Sequence, residues 1–271
     1  MHIDLTGRTA LVTGSTQGIG YAIARGLAAA GATVAINGRS EGSVDRAVAA
    51  LTTDLAAELG PDRAPDLIGV AADLADEHEA AGLVDTLPAV DILINNLGIF
   101  EAVPALQISD EQWRRYFDVN VLSAVRLIRA YLPGMTERGW GRVQNVASDS
   151  AVVIPAEMIH YGTTKTALLA VSRGFAKEAA GTGVTVNSVI AGPTHTGGVE
   201  DFVRSLVGDE APWDEAQRTF MREHRPQSLL QRLIEPEEIA NLVVYLASPF
   251  ASATTGGAVR VDGGYVDAIL P

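Results

Sequence analysis

The chain has 271 residues, 47% of them apolar and 20% charged, with no cysteine and a formal net charge of -13. That length and apolar content support one domain, or at most two small ones, around a sizeable core, and exclude a disordered chain. Without cysteine there is no disulfide framework, thiolate zinc site, iron–sulfur cluster or cysteine nucleophile. The acidic balance opposes binding to nucleic-acid phosphate or an anionic membrane surface. A small anion remains compatible with it, held at short range by helix N-termini and single arginines. No apolar run reaches the roughly 18 residues of a membrane span, and the opening MHIDLTGRTALVTG carries no leader pattern, so the expected location is cytoplasmic.

Short branched-residue runs alternate with helix-length segments along the chain. Arg8–Thr13, Thr33–Asn37, Leu67–Ala72, Asp91–Asn95, Arg142–Ala147, Val184–Ile190 and Ala258–Val261 read as seven buried strands. The intervening helices are expected over Gly18–Ala30, Ser43–Leu59, Glu77–Leu87, Asp110–Met135, Ile159–Ala180 and Pro236–Ala247. The last starts with Pro236 followed by Glu237 and Glu238, a ring that forfeits no hydrogen bond and two acids at the positive end of the dipole. Such alternation predicts an α/β fold, a single Rossmann-type doubly wound parallel sheet with helices on both faces, over residues 1–271. Residues 193–233 break the rhythm. They hold no strand, and Gly197, Gly198, Gly208 and Pro212 punctuate two short helices carrying Phe202, Val203, Leu206, Trp213, Phe220 and Met221. This insertion is either a packed-down surface excursion, a substrate lid, or both.

The first strand runs into Thr13-Gly14-Ser15-Thr16-Gln17-Gly18-Ile19-Gly20 and then an alanine-rich helix. A sharp turn, close approach of a pyrophosphate to the backbone and tight helix–sheet seating all require missing Cβ atoms, so the turn predicts a dinucleotide site. Where an NAD site would place an acid after the second strand, this chain has Asn37-Gly38-Arg39-Ser40. Arg39, helped by Ser40 or Asn37, suits a 2′-phosphate and favours NADP(H) over NAD(H), unless Arg39 is only a surface arginine. Asp73, with Leu74 after it, follows the third strand and can bond an adenine amine or merely begin the next turn.

Asn95, Asn96 and Gly98 end the fourth strand, Asn120 follows, Ser148 ends the fifth, and Tyr161 precedes Lys165 by four residues. Ligands gather outside the carboxyl ends of parallel strands, and residues four apart share a helix face, so Tyr161 and Lys165 can enter one cleft. Lys165 and Lys177 are the only lysines among the 20 cations. The ordered set resembles the compact single-domain branch of the short-chain dehydrogenase/reductase family, and is most similar to its 3-oxoacyl-carrier-protein reductase-like members. The pieces are the TGxxxGxG turn Thr13–Gly20, the NNxG element Asn95–Gly98, Ser148 thirteen residues before Tyr161, the Tyr161/Lys165 pair, and the tail from Pro236 to Gly264.

The resemblance implies an NAD(P)-dependent oxidoreductase that interconverts a ketone and a secondary alcohol. It makes Tyr161 the general acid/base, Lys165 the group that lowers its pKa and binds the nicotinamide ribose, Ser148 the orienter of the substrate oxygen and Asn120 the support of a water relay. Physically, an adjacent ammonium is expected to depress the phenol from near 10 by about 1–3 units. Asn120 taken alone, inside a helix, can equally be a backbone-bonded asparagine. By the same resemblance Asn96, Gly98, Gly192, Thr194 and Thr196 lie along the cofactor, and homotetramers or homodimers are expected. Three residues depart from the pattern: Leu97 for alanine, Ala191 for proline, and Gln17 where many NADP-preferring relatives are basic.

Phe100, Ile154, Met158, Trp213 and Phe220 are candidate substrate-lining residues. The five histidines have no paired spacing, so no metal site is expected, although His160 and His195 lie where substrate could touch them. The competing reading is a non-catalytic NADP(H)-sensing regulator of the same fold, which would need the glycine turn but not the Tyr161/Lys165 pair. An extended-branch epimerase would need a larger C-terminal region and a different glycine spacing.

Overall fold

Strand residues of opposite parity supply two separate cores, and this fixes the layers. In the computed structural model, which describes residues 2–60, 66–208 and 210–269, seven strands form one parallel sheet. They are β1 (Thr9–Val12), β2 (Thr33–Gly38), β3 (Leu67–Ala71), β4 (Ile92–Asn95), β5 (Gly141–Ser148), β6 (Val184–Ala191) and β7 (Ala258–Val261), in the order β3-β2-β1-β4-β5-β6-β7. Ala10, Val12, Val34, Ile36, Ile92 and Ile94 face one side of the sheet, where α1 (Gly18–Ala29), α2 (Glu41–Leu59) and α9 (Pro236–Ala247) cover them. Leu11, Ala35, Leu93 and Val143 face the other, under α3 (Glu77–Thr86), α5 (Ser123–Glu137) and α6 (Ile159–Glu178). Burial on both faces is why these strands read as continuous apolar runs rather than alternating ones.

From β1 the chain winds outward to β3 and then returns to the opposite side of β1 as β4. The helices after β1 and β4 therefore diverge, opening a crevice at the carboxyl ends of these two strands.

Local caps set the helix starts. Asp76 accepts from His78 N and Glu79 N ahead of α3, and Glu235 and Glu238 form a reciprocal box around Pro236. Ser109 and Gln112 do the same for α4 (Asp110–Phe117). The single helix expected over Asp110–Met135 is interrupted: a π turn over Asp118–Leu122 separates α4 from α5. Pro133, inside α5, does not end that helix. The extra residue in the turn coincides with Asn120, whose side chain is pulled inward to bond neighbouring segments.

The insertion is tied at its base. His195 N donates to Ile234 O (2.8 Å) and Ile234 N to Pro193 O (2.8 Å), making an isolated parallel bridge beside Thr194. Beyond it stand α7 (Gly197–Val207) and α8 (Trp213–His224), which share a small core of Val203, Ala216, Phe220, Met221 and Leu233. No helix of the described residues is long and apolar enough to cross a membrane.

Candidate active site

The turn after β1 is held from both flanks. Ser15 Oγ donates to Val12 O (2.7 Å) and accepts from Asn37 N (3.0 Å), while Asn96 Nδ2 donates to Thr13 O (3.0 Å) and Gly14 O (3.1 Å). A Cβ on Gly20 would lie 2.3 Å from Gly14 O and 2.5 Å from Asn96 Nδ2, a cradle that only glycine fits. This turn opens onto a cleft of about 760 Å3 lined by Gly14, Thr16, Gln17, Gly18, Ile19 and Gly20. Asn37, Arg39, Asp73, Asn96, Gly98 and Thr196 complete its expected lining. The volume suits a sizeable ligand, since such sites span roughly 300–1,000 Å3.

Several expected cofactor residues serve the scaffold instead. Ser15 is fully buried in the β1–β2 tie just described, Leu74 is packed in the second core, and Ser40 bonds Ser43 at the start of α2; none of the three lines the cleft. Asn37 lines it, yet its amide is spent on Val70 O and Ala72 O (3.2 Å each) and its Oδ1 on Gly14 N (3.3 Å). Asp73 does both things allowed for it: its Oδ1 accepts from Ala75 N in the next turn, and it lines the cleft. The sequence reading missed Arg114 and Arg115, which line the cleft from α4. Their signal was available as two adjacent arginines just ahead of Asn120.

A second chamber of about 200 Å3 holds Ser148, Tyr161, Lys165, Gly192 and Thr194, with Phe100, Met158 and Phe220 of the expected substrate lining. It shares Ile19, Asn96, Gly98, Phe100 and Thr196 with the nucleotide cleft, so the two adjoin. Ile154 and Trp213 do not line it. Ile154 is 46% exposed, and Trp213 stacks on His195 (5.2 Å between centroids) within the insertion. Asp149, Ser150, Phe202 and Arg225 line the chamber unforeseen. His195 faces Glu200 and Glu235 at the base of the insertion. His160 is buried against Tyr116 (4.0 Å between centroids), and burial holds its pKa below the usual histidine value. Among the described residues no group of three or more His, Asp or Glu could hold a metal ion.

The expected catalytic side chains are placed by three elements. Ser148 ends β5; its Oγ donates to Asp149 Oδ1 (2.9 Å) and accepts from Ser150 N (3.1 Å). Lys165, 4% exposed on α6, donates from Nζ to Val146 O (2.9 Å) and lies 5.7 Å from the Tyr161 ring centroid. Asn120, 1% exposed, uses its whole amide on protein: Oδ1 accepts from Ile99 N (2.8 Å), and Nδ2 donates to Ile99 O and Thr164 Oγ1 (3.0 Å each). Thr164 Oγ1 in turn donates to Tyr161 O (2.7 Å), so Asn120 clamps the segment after β4 to the first turn of α6. A Cβ on Gly98 would meet Lys165 Nζ at 3.2 Å and Asn120 Oδ1 at 3.5 Å, which is why the chain passes this point without a side chain.

The electrostatics correct one expectation. Burial pushes the Tyr161 phenol well above its ordinary value; contact with the Ser148 hydroxyl opposes this, while the charge of Asp149 adds to it. Burial also pulls the Lys165 amine from 10.5 down to about 8. Both shifts favour the uncharged forms in the protein alone. Burial also raises the Asp149 carboxyl, with Ser148 and Arg225 working against it.

Residues 14–266 match the family model described as Enoyl-(Acyl carrier protein) reductase. The chain is 48% identical over 271 residues to the uncharacterized oxidoreductase YvaG of Bacillus subtilis (strain 168), covering 100% of each. It superposes on L-sorbose reductase from Gluconobacter frateurii, solved with NADPH and L-sorbose, with a TM-score of 0.89 and 31% identity over 99% of this chain and 100% of that one. It also superposes on 3-oxoacyl (acyl-carrier-protein) reductase from Agrobacterium tumefaciens C58, solved with NADP, with a TM-score of 0.84 and 31% identity over 97% and 96%.

Proposed function

The chain belongs to the short-chain dehydrogenase/reductase family, and from that premise we propose that it is an NADP(H)-dependent oxidoreductase interconverting a ketone and a secondary alcohol. The observation that supports this reading is the shared lining of the two cavities: Tyr161, Ser148 and Lys165 line the chamber that adjoins the glycine-turn cleft. NADP(H) fits the residues present. The glycine turn that lines the cleft admits a diphosphate against its backbone, and Arg39 stands in the cleft just after β2, where the chain itself carries no acid; NADP-bound relatives of 31% identity support the preference over NAD(H).

When bound, the nicotinamide supplies or accepts the hydride. The chain supplies everything else. Tyr161 gives its phenolic proton to the substrate oxygen in reduction and takes it back in oxidation. Ser148 Oγ orients that oxygen. Lys165 Nζ, fixed on Val146 O, places a positive charge beside the phenol that favours the phenolate left after transfer. Asn120 holds the wall behind Lys165, and the apolar side chains of Phe100 and Phe202 exclude water.

Purified protein with NADPH and a panel of β-ketoesters, cyclic ketones and hydroxyketones should consume cofactor. Tyr161→Phe should lose roughly 10²–10⁴-fold in rate while still binding NADPH, the range a positioned acid contributes. A rate indifferent to that substitution removes the mechanism. A homotetramer or homodimer belongs to the same reading, and sedimentation of the full chain tests it.

A further inference from the structure

We propose that Asp149 and Arg225 form a recognition wall for a small polyhydroxylated ketone, whose hydroxyl next to the reacting carbonyl donates to Asp149 Oδ2 while a more distant oxygen accepts from Arg225. This rests on the reading that Ser148 and Tyr161 hold the reacting oxygen.

Asp149 is 6% exposed and lines the inner chamber. Its Oδ1 accepts from Ser148 Oγ (2.9 Å) and Ser150 Oγ (3.3 Å), whereas its Oδ2 is buried with no hydrogen-bond partner. Buried polar atoms in folded proteins are nearly always bonded, so an orphan beside the reacting serine marks a place that a ligand donor completes. Because both oxygens belong to one carboxyl, the acceptor sits one group away from the oxygen that Ser148 orients. A hydroxyl on the carbon adjacent to the carbonyl occupies that relation.

Arg225 reaches the same chamber from just beyond α8. Its guanidinium carbon lies 5.2 Å from the Phe220 centroid and 5.6 Å from that of Tyr265, and its Nη1 donates to His224 O (2.7 Å). Two aromatic faces and one backbone oxygen fix the plane of the fork, and its other N–H groups remain for oxygens of a ligand. The facing wall is aromatic: Phe100 is in edge contact with Tyr161 (6.2 Å) and with Phe202 (6.4 Å), and Phe202 with Phe220 (6.3 Å). A chamber with one apolar wall, one acceptor-and-donor wall and about 200 Å3 of space matches a compact molecule with a hydrocarbon face and a hydroxyl edge. An unbranched acyl chain would cover Asp149 Oδ2 without a donor and leave it unbonded.

The test compares 2-hydroxycyclohexanone with cyclohexanone, and an open-chain ketohexose with ethyl acetoacetate, as substrates of the full-length protein with NADPH. The hydroxylated member of each pair should be favoured at least about tenfold in kcat/KM, the discrimination expected when a buried polar group is left unpaired by the analogue. Asp149→Leu, which keeps a similar size but removes every polar atom, should collapse the ratio for the cyclic pair. Arg225→Gln should raise KM for the ketohexose more than for 2-hydroxycyclohexanone. Equal rates for both members in the wild type, or an Asp149→Leu loss shared equally by both, overturns the proposal, the latter by reducing Asp149 to a prop for Ser148.

If no ketone is consumed, the oxidoreductase reading fails, and the wall is judged on binding alone. On NADP+-saturated Tyr161→Phe protein, 1,2-cyclohexanediol should raise the thermal midpoint more than cyclohexanol. Equal shifts overturn the proposal independently of turnover.

Discussion

Lys165→Met isolates the strain of holding an ammonium inside the site. The wild-type side chain is 4% exposed and burial lowers its pKa from 10.5 to about 8. In the unfolded chain the amine titrates at the ordinary lysine value, so between pH 8 and 10.5 the unfolded state holds the proton and the folded state does not. Folding stability then rises with pH across that window, because the unfolded state binds more protons. Below pH 8 both states are charged and the full burial penalty is present. The fall in pKa sets that penalty at about 3 kcal/mol, at 1.36 kcal/mol for each pH unit.

Methionine has a similar length and no titration. The stability difference between wild type and Lys165→Met should thus move in favour of wild type by about 3 kcal/mol from pH 7 to pH 10.5, with little change below pH 7.5. Other titrating groups are common to both proteins and cancel, and so does the pH-independent loss of the bond to Val146 O. Urea unfolding of both proteins without cofactor, at one protein concentration and at pH 7, 8, 9 and 10, reads the difference directly. A difference flat with pH would mean that the ammonium is solvated. A difference moving against wild type on raising the pH would mean that an anion stabilises its charge. Either result refutes the placement.

Gly98→Ala pushes a methyl to 3.2 Å from Lys165 Nζ, and the few tenths of an ångström by which the amine must yield should lower kcat about tenfold with the thermal midpoint within a few degrees, as steady-state NADPH consumption and a melting curve would show. Asn120→Ala removes the partner of Ile99 N and O, both part-buried, and of Thr164 Oγ1, and should cost roughly 1–3 kcal/mol, read from urea midpoints. Arg39→Asp should weaken NADPH binding by at least about tenfold and NADH binding much less, by fluorescence titration, since an acid repels a 2′-phosphate and accepts from a 2′-hydroxyl.

The strands were legible because burial on both faces leaves unbroken runs of branched residues, and each of the seven lies within a residue or two of its expected bounds. The glycine turn and the Tyr161/Lys165 spacing were legible because each obeys a local geometric need. The π turn was not: one extra residue inserted between two helical segments leaves the apolar rhythm of Asp110–Met135 nearly intact, and only the later contacts of Asn120 show why the insertion is there. Nor was the chamber wall. Arg225 reaches Asp149's neighbourhood through the fold of the insertion, 76 residues along the chain, and a distance of that kind leaves no periodic trace. Trp213 looked like lining because it is large and apolar in a suspected lid, yet it packs on His195 instead. The protonated state of Tyr161 was hidden for a different reason, since composition does not say whether burial or a neighbouring charge dominates.

These unforeseen features share a cause. Asp149 Oδ2 and the ring nitrogens of His160 lie next to Ser148 and Tyr161 along the chain without a hydrogen-bond partner, and the Lys165 amine, bonded to Val146 O, is buried one turn beyond Tyr161. Such groups weaken the folded state, and they are tolerated because the two apolar layers around the sheet are extensive. The low dielectric that makes them costly also strengthens each bond they form once a hydroxyl, a phosphate or a developing phenolate arrives. The same reasoning reconciles a chain of net charge -13 with an anionic cofactor. The long-range field is screened within about 10 Å at ordinary ionic strength, whereas Arg39, Arg114 and Arg115 in the cleft and Lys165 and Arg225 in the adjoining chamber stand where a bound anion would meet them at short range. Asp73, Glu111, Asp118 and Asp149 share the walls of these cavities, so the placement of each cation, rather than the sum of charge, decides what the site attracts.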